Sequence, residues 1–217
     1  MGGGSDSEVS ADTSGAGETS AADRPGASAW SLRADWTEPV RRSPVRVLLA
    51  GAAVLALLSW RIGLRADLVA FAYLGCVGVV LGVVDVALRR LPDPLTLPSY
   101  PIGMVLLSAA APSTTDGGGR FIDALIGLGV LWGLFFLQWV VVPRALGFGD
   151  VKLSGVLGLY LGWLGFDAWT LGVLAMFVLG GLYSIGLIVF RRVGRKATIP
   201  FGPFMLLGAL VGVLVHA

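Results

Sequence analysis

Residues 67–88 read DLVAFAYLGCVGVVLGVVDVAL, an apolar run with one aspartate, Asp67, at its start and another, Asp85, near its end. A helix needs about 20 predominantly apolar residues to cross the hydrocarbon core of a bilayer, and this run is long enough. A carboxylate at the depth of Asp85 is costly in lipid. We therefore expect Asp85 to face the interior of a helix bundle or a water-filled cavity.

The composition extends this interpretation to most of the 217-residue chain. Hydrophobic residues make up 55% of it and charged residues 14%, and its mean hydropathy is +0.81, outside the ordinary range of soluble domains. We predict an all-α fold, a polytopic membrane helix bundle of about seven transmembrane spans. The spans run approximately over residues 45–64, 67–88, 95–111, 121–142, 152–166, 169–190 and 199–216. The third and fifth spans are short, so we expect them to be tilted, broken or sheltered inside the bundle.

The N-terminal region has a different composition. It is rich in Gly, Ser, Ala, Asp and Glu and has almost no large apolar side chain before Trp30, which is typical of a disordered segment. It lacks the basic start and apolar stretch of a secretory signal. We predict a disordered cytoplasmic tail over residues 1–43 and a membrane-embedded domain over residues 44–217.

The basic residues predict the orientation, because Lys and Arg are enriched in cytoplasmic loops. With the N-terminus inside, thirteen of the 16 Lys and Arg residues lie on the cytoplasmic side, and the outer side holds Arg61, Arg65 and Arg120. We expect a multi-pass protein of a bacterial-type plasma membrane with its N-terminus in the cytoplasm and His216 outside. Basic clusters between apolar runs indicate topology rather than nucleic-acid binding, and most tryptophans lie near span ends, where interfacial anchoring is expected.

A second aspartate, Asp150, stands in Gly147-Phe148-Gly149-Asp150, directly before a short apolar segment. We expect these glycines to permit close approach of another helix and unusual dihedral angles, so that the acid is presented at a helix entrance. The alternative is an ordinary helix start, with Asp150 as a cap and Lys152 reaching the membrane interface. The predicted topology places Asp85 and Asp150 on the same side. The acids of the outer side are expected to be solvated caps or loop residues: Asp67, Asp116, Asp123 and Asp167.

Three segments, taken in order, resemble motifs of the type IV prepilin peptidases. They are VDVALRRLPDPLTLP at residues 84–98, GFGDVKL at 147–153 with GLYLGW at 158–163, and IPFGPF at 199–204 with LGA at 207–209. The resemblance implies that Asp85 and Asp150 are the catalytic pair of an intramembrane aspartic protease of the GxGD class. Residues in the same motifs are expected to support the pair: Gly147, Gly149, Lys152, Asp93, Pro200, Gly202 and Pro203. Asp93, between two prolines, is expected to shape its loop, and Lys152 either contacts substrate or lies at the interface.

The resemblance also implies a reaction. A membrane aspartic endopeptidase of this kind would remove a basic leader from a prepilin-like precursor at the cytoplasmic membrane face, after a glycine and before an apolar helix. One carboxylate would be ionised to activate water and the other protonated to assist the carbonyl. The expected partners are the precursor and the lipid bilayer, with no nucleic acid, and the oligomeric state stays open.

No cofactor or metal is expected, because His216 is the only histidine and lies on the far side. Larger members of the family carry an additional N-terminal domain with paired cysteines and methylate the new N-terminus. This chain has one cysteine, Cys76. We therefore predict a short form, a protease without methyltransferase activity.

Two other functions are compatible with intramembrane acids and glycine-rich helices. A small ion-coupled transporter would also use paired aspartates and broken helices, but it predicts an internal repeat that the sequence does not show convincingly. A noncatalytic membrane scaffold would suit the 32 glycines, which allow close helix packing. The scaffold leaves the buried charge of Asp85 without a use.

Overall fold

The computed structural model describes residues 36–142, 146–189 and 200–217, and in these ranges every regular element is a helix. The helices are α1 Thr37–Arg42, α2 Pro44–Ile62, α3 Leu68–Leu88, α4 Asp93–Thr96, α5 Ser99–Ala110, α6 Gly117–Val141, α7 Phe148–Leu164, α8 Phe166–Val189 and α9 Gly202–His216. A short 3-10 helix, Ala111–Ser113, extends α5. The predicted all-α fold is confirmed.

Five helical segments in the described residues are long and apolar enough to cross a membrane. They are Pro44–Ile62, Leu68–Leu88, Asp93–Ser113, Gly117–Val141 and Phe166–Leu187, and α9 is a shorter apolar helix. The chain is therefore a multi-pass membrane protein. The third segment is interrupted between α4 and α5, where Pro98 and Pro101 have no backbone N–H to donate to the preceding turn, although Leu97 keeps helical dihedral angles. The expected break is confirmed.

The remaining helix, α7, lies at the centre of the bundle and not at its surface. Residues 153–163 of α7 are all buried, and α4, α5, α6, α8 and α9 pack against this helix. Its closest neighbour is α6, where a Cβ atom at Gly158 would clash with the Gly127 carbonyl oxygen and one at Gly162 with the Asp123 carbonyl oxygen. Because these glycines have no side chains, the backbones of α6 and α7 come into contact. The burial of α7 confirms that the fifth predicted span is sheltered inside the bundle.

A short helix lies in the region predicted as tail. Residues 37–42 form α1, in which Arg42 Nη2 lies 2.6 Å from Glu38 Oε1, one helical turn away. These six residues are helical, and the boundary between tail and membrane domain at residue 43 stays a prediction. Residues 1–35 lie outside the described ranges, so disorder there stays a prediction.

Contacts between helix ends define two opposite faces of the bundle. At one face, Arg61 at the end of α2 donates hydrogen bonds to the carbonyl oxygens of Leu214 and Val215 at the end of α9, at 2.5 and 2.8 Å. At the other face, the end of α3 meets the start of α9 through Asp85 and Gly202. The helices thus alternate in direction as the sequence predicts.

Candidate functional site

Asp85 occupies the last turn of α3 and is only 4% exposed. The helix ends at Arg89, which adopts the left-handed conformation with φ of 51° and donates its amide to the Asp85 carbonyl oxygen at 2.8 Å. The chain therefore leaves α3 one turn after the carboxylate. The expectation that Asp85 faces the protein interior is confirmed.

The N-terminus of α9 is directed at the Asp85 carboxylate. The amide of Gly202, the first residue of α9, donates a hydrogen bond to Asp85 Oδ2 at 3.1 Å. Backbone amides at a helix N-terminus are free to donate, and the helix dipole favours a negative charge there. Pro203 follows as the second helical residue, where the missing amide proton leaves no hydrogen bond unmade. Pro200 precedes the helix and is partly buried, and Ile199 lies outside the described residues.

Gly202 also makes room for the carboxylate. A Cβ atom at this position would lie 2.6 Å from Asp85 Oδ2, closer than van der Waals contact allows. Any side chain at position 202 would push Asp85 or α9 away. This explains why a glycine stands between the prolines of the third motif.

Asp150 lies in the first turn of α7, at the same face of the bundle, and is 9% exposed. Its Oδ2 accepts a hydrogen bond from the Gly147 amide at 3.3 Å, so it does cap the helix, as the alternative interpretation proposed. Its neighbour Lys152 pairs with Asp93, in the segment that follows Asp85, and the two carboxylates of Asp85 and Asp150 lie within range of electrostatic interaction. The two motif aspartates are thus brought together from the end of α3 and the start of α7.

The glycines beside Phe148 matter because they have no side chain, and not because they adopt unusual dihedral angles. Gly147 has an ordinary extended backbone, with φ of −73° and ψ of 141°, so the expectation of special dihedrals is wrong. Gly149 lies against the loop that follows α3, where a Cβ atom would be 3.0 Å from Leu91 Cβ. Close approach of the two motif segments is confirmed at Gly149.

Asp93 and Lys152 form an ion pair across the site. Lys152 Nζ lies 2.7 Å from Asp93 Oδ1, and both side chains are partly buried. The same ammonium lies 5.1 Å from the centre of the Phe148 ring, a cation–π distance. The Tyr100 hydroxyl donates to the Lys152 carbonyl oxygen at 2.5 Å. Asp93 therefore does more than shape its loop, since it joins that loop to the helix of Asp150.

Four outer acids were expected to be solvated, and one of them is not. Asp116 is exposed and caps α6, accepting from the Gly119 amide at 3.4 Å, and Asp123 and Asp167 are also exposed. Asp67 is fully buried, so that expectation is wrong for it. Its Oδ2 accepts from Trp163 Nε1 at 3.4 Å.

Sequence reasoning also missed residues that tertiary packing buries, one of them beside the site and two at the opposite end of the bundle. Trp163 is fully buried and is not an interfacial anchor. Tyr100 contacts α7 through its hydroxyl, and the one indication in the sequence was a hydroxyl group within an apolar span, which needs a hydrogen-bond partner when buried. Asp67 carried no such indication, because its neighbours are those of an ordinary helix start.

Known proteins resemble this chain over most of its length. A protein named prepilin leader peptidase/N-methyltransferase from Aeromonas salmonicida (strain A449) is 33% identical over 139 residues, which are 63% of this chain and 45% of that protein. The protein of that name from Escherichia coli (strain K12) is 34% identical over 139 residues, 63% of this chain and 58% of its own length. The one from Stutzerimonas stutzeri is 26% identical over 175 residues, 80% of this chain and 58% of its own length. The chain spans about half the length of the curated relatives it matches.

No solved structure gives a significant match. The model of the type IV leader peptidase family matches residues 72–185. That range is more than half of the chain and holds both Asp85 and Asp150, the two acids that the fold brings together. The chain belongs to the type IV leader peptidase family.

Proposed function

We propose that this chain is a membrane aspartic endopeptidase that removes the basic leader from prepilin-like precursors, with Asp85 and Asp150 as its catalytic pair. The observation that carries the proposal is that these two buried carboxylates, at the end of one helix and the start of another, lie at one face of the bundle within range of electrostatic interaction. Relatives named prepilin leader peptidase/N-methyltransferase support the choice of substrate.

The chemistry follows from placing two carboxylates in one buried site. Because like charges close together disfavour double ionisation, the pair holds one proton over a range of pH. The ionised carboxylate accepts a proton from water as the water oxygen attacks the scissile carbonyl carbon. The protonated carboxylic acid donates to the carbonyl oxygen. On collapse of the tetrahedral intermediate the C–N bond breaks, and the leaving amine takes up a proton from the pair.

Both carboxylates accept a backbone hydrogen bond, Asp85 from Gly202 and Asp150 from Gly147. Each bond favours the charged form of its acceptor. Since two interacting groups titrate as a unit, we assign the shared proton to the pair rather than to one residue.

The site lies at one face of the bundle. The scissile peptide bond of the precursor, which precedes an apolar membrane helix, would lie at this level. Asp85 ends α3 and Asp150 begins α7, so both acids lie near the membrane surface rather than at its midplane. We propose that this is the cytoplasmic face, as the distribution of Lys and Arg indicates. A leader that stays in the cytoplasm would then be cut where it joins the membrane segment.

The test is cleavage of a prepilin-like precursor from the same organism in proteoliposomes. Wild type should release the leader, and Asp85→Asn and Asp150→Asn should each lower the rate at least about 100-fold, because general acid–base catalysis is lost. Asp123→Asn is the matched control, because that carboxylate is exposed on α6 and should leave the rate unchanged. Retained cleavage by either site variant would refute the catalytic pair.

The same assay separates this function from its rivals. Absence of cleavage by folded wild type, together with ion flux that depends on Asp85, would favour a transporter, and absence of both would favour a scaffold. Mass spectrometry of the mature product tests the predicted lack of methyltransferase activity. The new N-terminus should remain unmethylated when S-adenosylmethionine is supplied, and a gain of one methyl group would contradict the prediction.

A further inference from the structure

Asp67 lies at the end of α3 opposite Asp85 and is fully buried. It precedes α3 but makes no capping hydrogen bond. Its Oδ2 accepts from Arg65 Nη2 at 2.6 Å and from Trp163 Nε1 at 3.4 Å, while Oδ1 has no hydrogen-bond partner in the described part of the chain. A buried carboxylate is costly to maintain. A simple helix cap would need no such burial, so the contact with Trp163 requires another explanation.

The contact joins the two helices that carry the proposed catalytic pair. Both α3 and α7 pack against α5 and against α9, and side chains of the two segments also meet directly. Between the two ends, the Phe71 and Tyr160 rings pack edge to face, with centroids 5.5 Å apart. The helix pair is therefore held at its outer end by Asp67 and Trp163 and, about one turn further in, by two aromatic rings.

Neither residue of the outer contact can reach a substrate at the catalytic pair. At a rise of 1.5 Å per residue, Asp67 lies about 27 Å from Asp85 along α3, and Trp163 lies about 20 Å from Asp150 along α7. An effect of this contact on catalysis must pass through the positions of the helices. α7 is one continuous helix that carries both Asp150 and Trp163, so a shift of this helix at Trp163 is passed along it to Asp150.

We propose that Asp67 and Trp163 are positioning residues whose contact fixes α7 against α3 and thereby sets the placement of Asp150 relative to Asp85. The inference rests on the proposed function. Its consequence for rate follows from the geometric demands of catalysis, in which a displacement of about 1 Å can cost about 100-fold.

The first variant removes only the hydrogen-bond donor. Trp163→Phe keeps an aromatic ring in the buried site and deletes the indole N–H. We expect kcat to fall about tenfold, through misplacement of Asp150, while KM stays the same because no substrate contact changes. Trp169→Phe is the matched control, because it deletes an indole N–H that donates to the Gly127 carbonyl oxygen at 3.2 Å between α8 and α6. These helices carry neither aspartate, so kcat should stay at the wild-type value.

Variants of the acceptor give the complementary result. Asp67→Asn keeps an oxygen that can accept from Trp163, whereas Asp67→Leu has a similar size and no acceptor. We expect Asn to retain most of kcat and Leu to lose as much as Trp163→Phe. Because both changes break the same contact, the double variant Asp67→Leu with Trp163→Phe should be no slower than either single variant.

A structural role alone would give a different pattern. All rates are expressed per folded molecule, counted by size-exclusion chromatography. If Trp163→Phe and Asp67→Leu lower yield or thermal stability but match Trp169→Phe in kcat, the inference is overturned. A loss with Trp163→Phe alone, without a loss with Asp67→Leu, overturns it as well.

A distance measurement keeps this test separate from the test of the proposed function. In a chain carrying Cys76→Ala, spin labels at the exposed positions 86 and 148 report the separation of the inner ends of α3 and α7. The distance distribution should shift or broaden with Trp163→Phe and not with Trp169→Phe, and an unchanged distribution refutes the inference. Failure of the proposed function is recognised independently, by cleavage that survives Asp85→Asn or Asp150→Asn.

Discussion

Lys152 Nζ and Asp93 Oδ1 lie 2.7 Å apart, and this ion pair joins the second turn of α7 to the short helix that follows α3. Asp150 precedes Lys152 by two residues, and Asp85 lies one loop before Asp93. The pair therefore ties together the two chain segments that hold the proposed catalytic acids. Partly exposed ion pairs add little to the free energy of unfolding, about 0–1 kcal/mol. We therefore expect the Lys152–Asp93 pair to act mainly on the relative position of the two segments.

Breaking this pair should lower kcat without unfolding the protein. Asp93→Asn and Lys152→Met should each cost about tenfold in kcat, because the segment of Asp150 loses a fixed position, and the melting temperature should change little. The charge exchange Asp93→Lys with Lys152→Asp should recover part of the loss. These are measured as kcat, KM and thermal unfolding of purified protein in liposomes.

The same variants decide between two roles for Lys152. If Lys152→Met raises KM and Asp93→Asn has no effect, Lys152 acts on the substrate and not through the pair. Equal losses in kcat from both single variants, with recovery in the exchange, indicate positioning.

Gly202→Ala should damage the site directly. The new methyl group would stand 2.6 Å from Asp85 Oδ2, so the carboxylate or the start of α9 must move and the hydrogen bond from the amide is weakened. We expect a loss in kcat of about tenfold to 100-fold. Gly181→Ala in α8 is the matched control, since no atom of the described residues lies within 4 Å of its Cβ position, and it should behave as wild type. An active Gly202→Ala enzyme would show that contact with α9 is not needed.

Gly158→Ala should lower the stability of the helix bundle and should not act on the catalytic step directly. The added methyl group would clash with the Gly127 carbonyl oxygen and force α6 and α7 apart. Overpacking of this kind costs about 1–3 kcal/mol in the free energy of unfolding. Gly129→Ala adds a methyl group to α6 where nothing lies within 4 Å, so its unfolding temperature should match wild type. Equal unfolding temperatures of the two variants would contradict the proposed close packing.

The positions of the spans and the burial of Asp85 could be predicted because both depend on local sequence. Apolar residues surround Asp85 on both sides, and an exposed position in such a run would face lipid, where a carboxylate is costly. The interruption between α4 and α5 follows in the same way from the prolines. Alternation of helix direction then places Asp85 and Asp150 at one face, although the sequence does not show that they interact.

Contacts between distant segments could not be predicted from one sequence. The bond from Gly202 to Asp85 links residues 117 positions apart, and the bond from Trp163 to Asp67 links residues 96 positions apart. Asp67 has the sequence environment of an exposed helix start, and its burial depends on where α7 lies. The local sequence pattern therefore predicts where each acid lies along a span. Whether Asp67 is buried depends on packing between distant segments.

The proposed orientation predicts which loops reagents can reach from outside the cell. In a chain carrying Cys76→Ala, a cysteine introduced at Gly118, an exposed position beside the start of α6, should react with a membrane-impermeant maleimide on intact cells. A cysteine introduced at Ser43, between α1 and α2, should react only after the membrane is opened, because it lies with the basic N-terminal segment. Both positions avoid Lys and Arg, so the substitutions leave the charges that set topology in place. The reverse labelling pattern would put Asp85 and Asp150 at the outer face, and the precursor would then have to be cut after its leader had crossed the membrane.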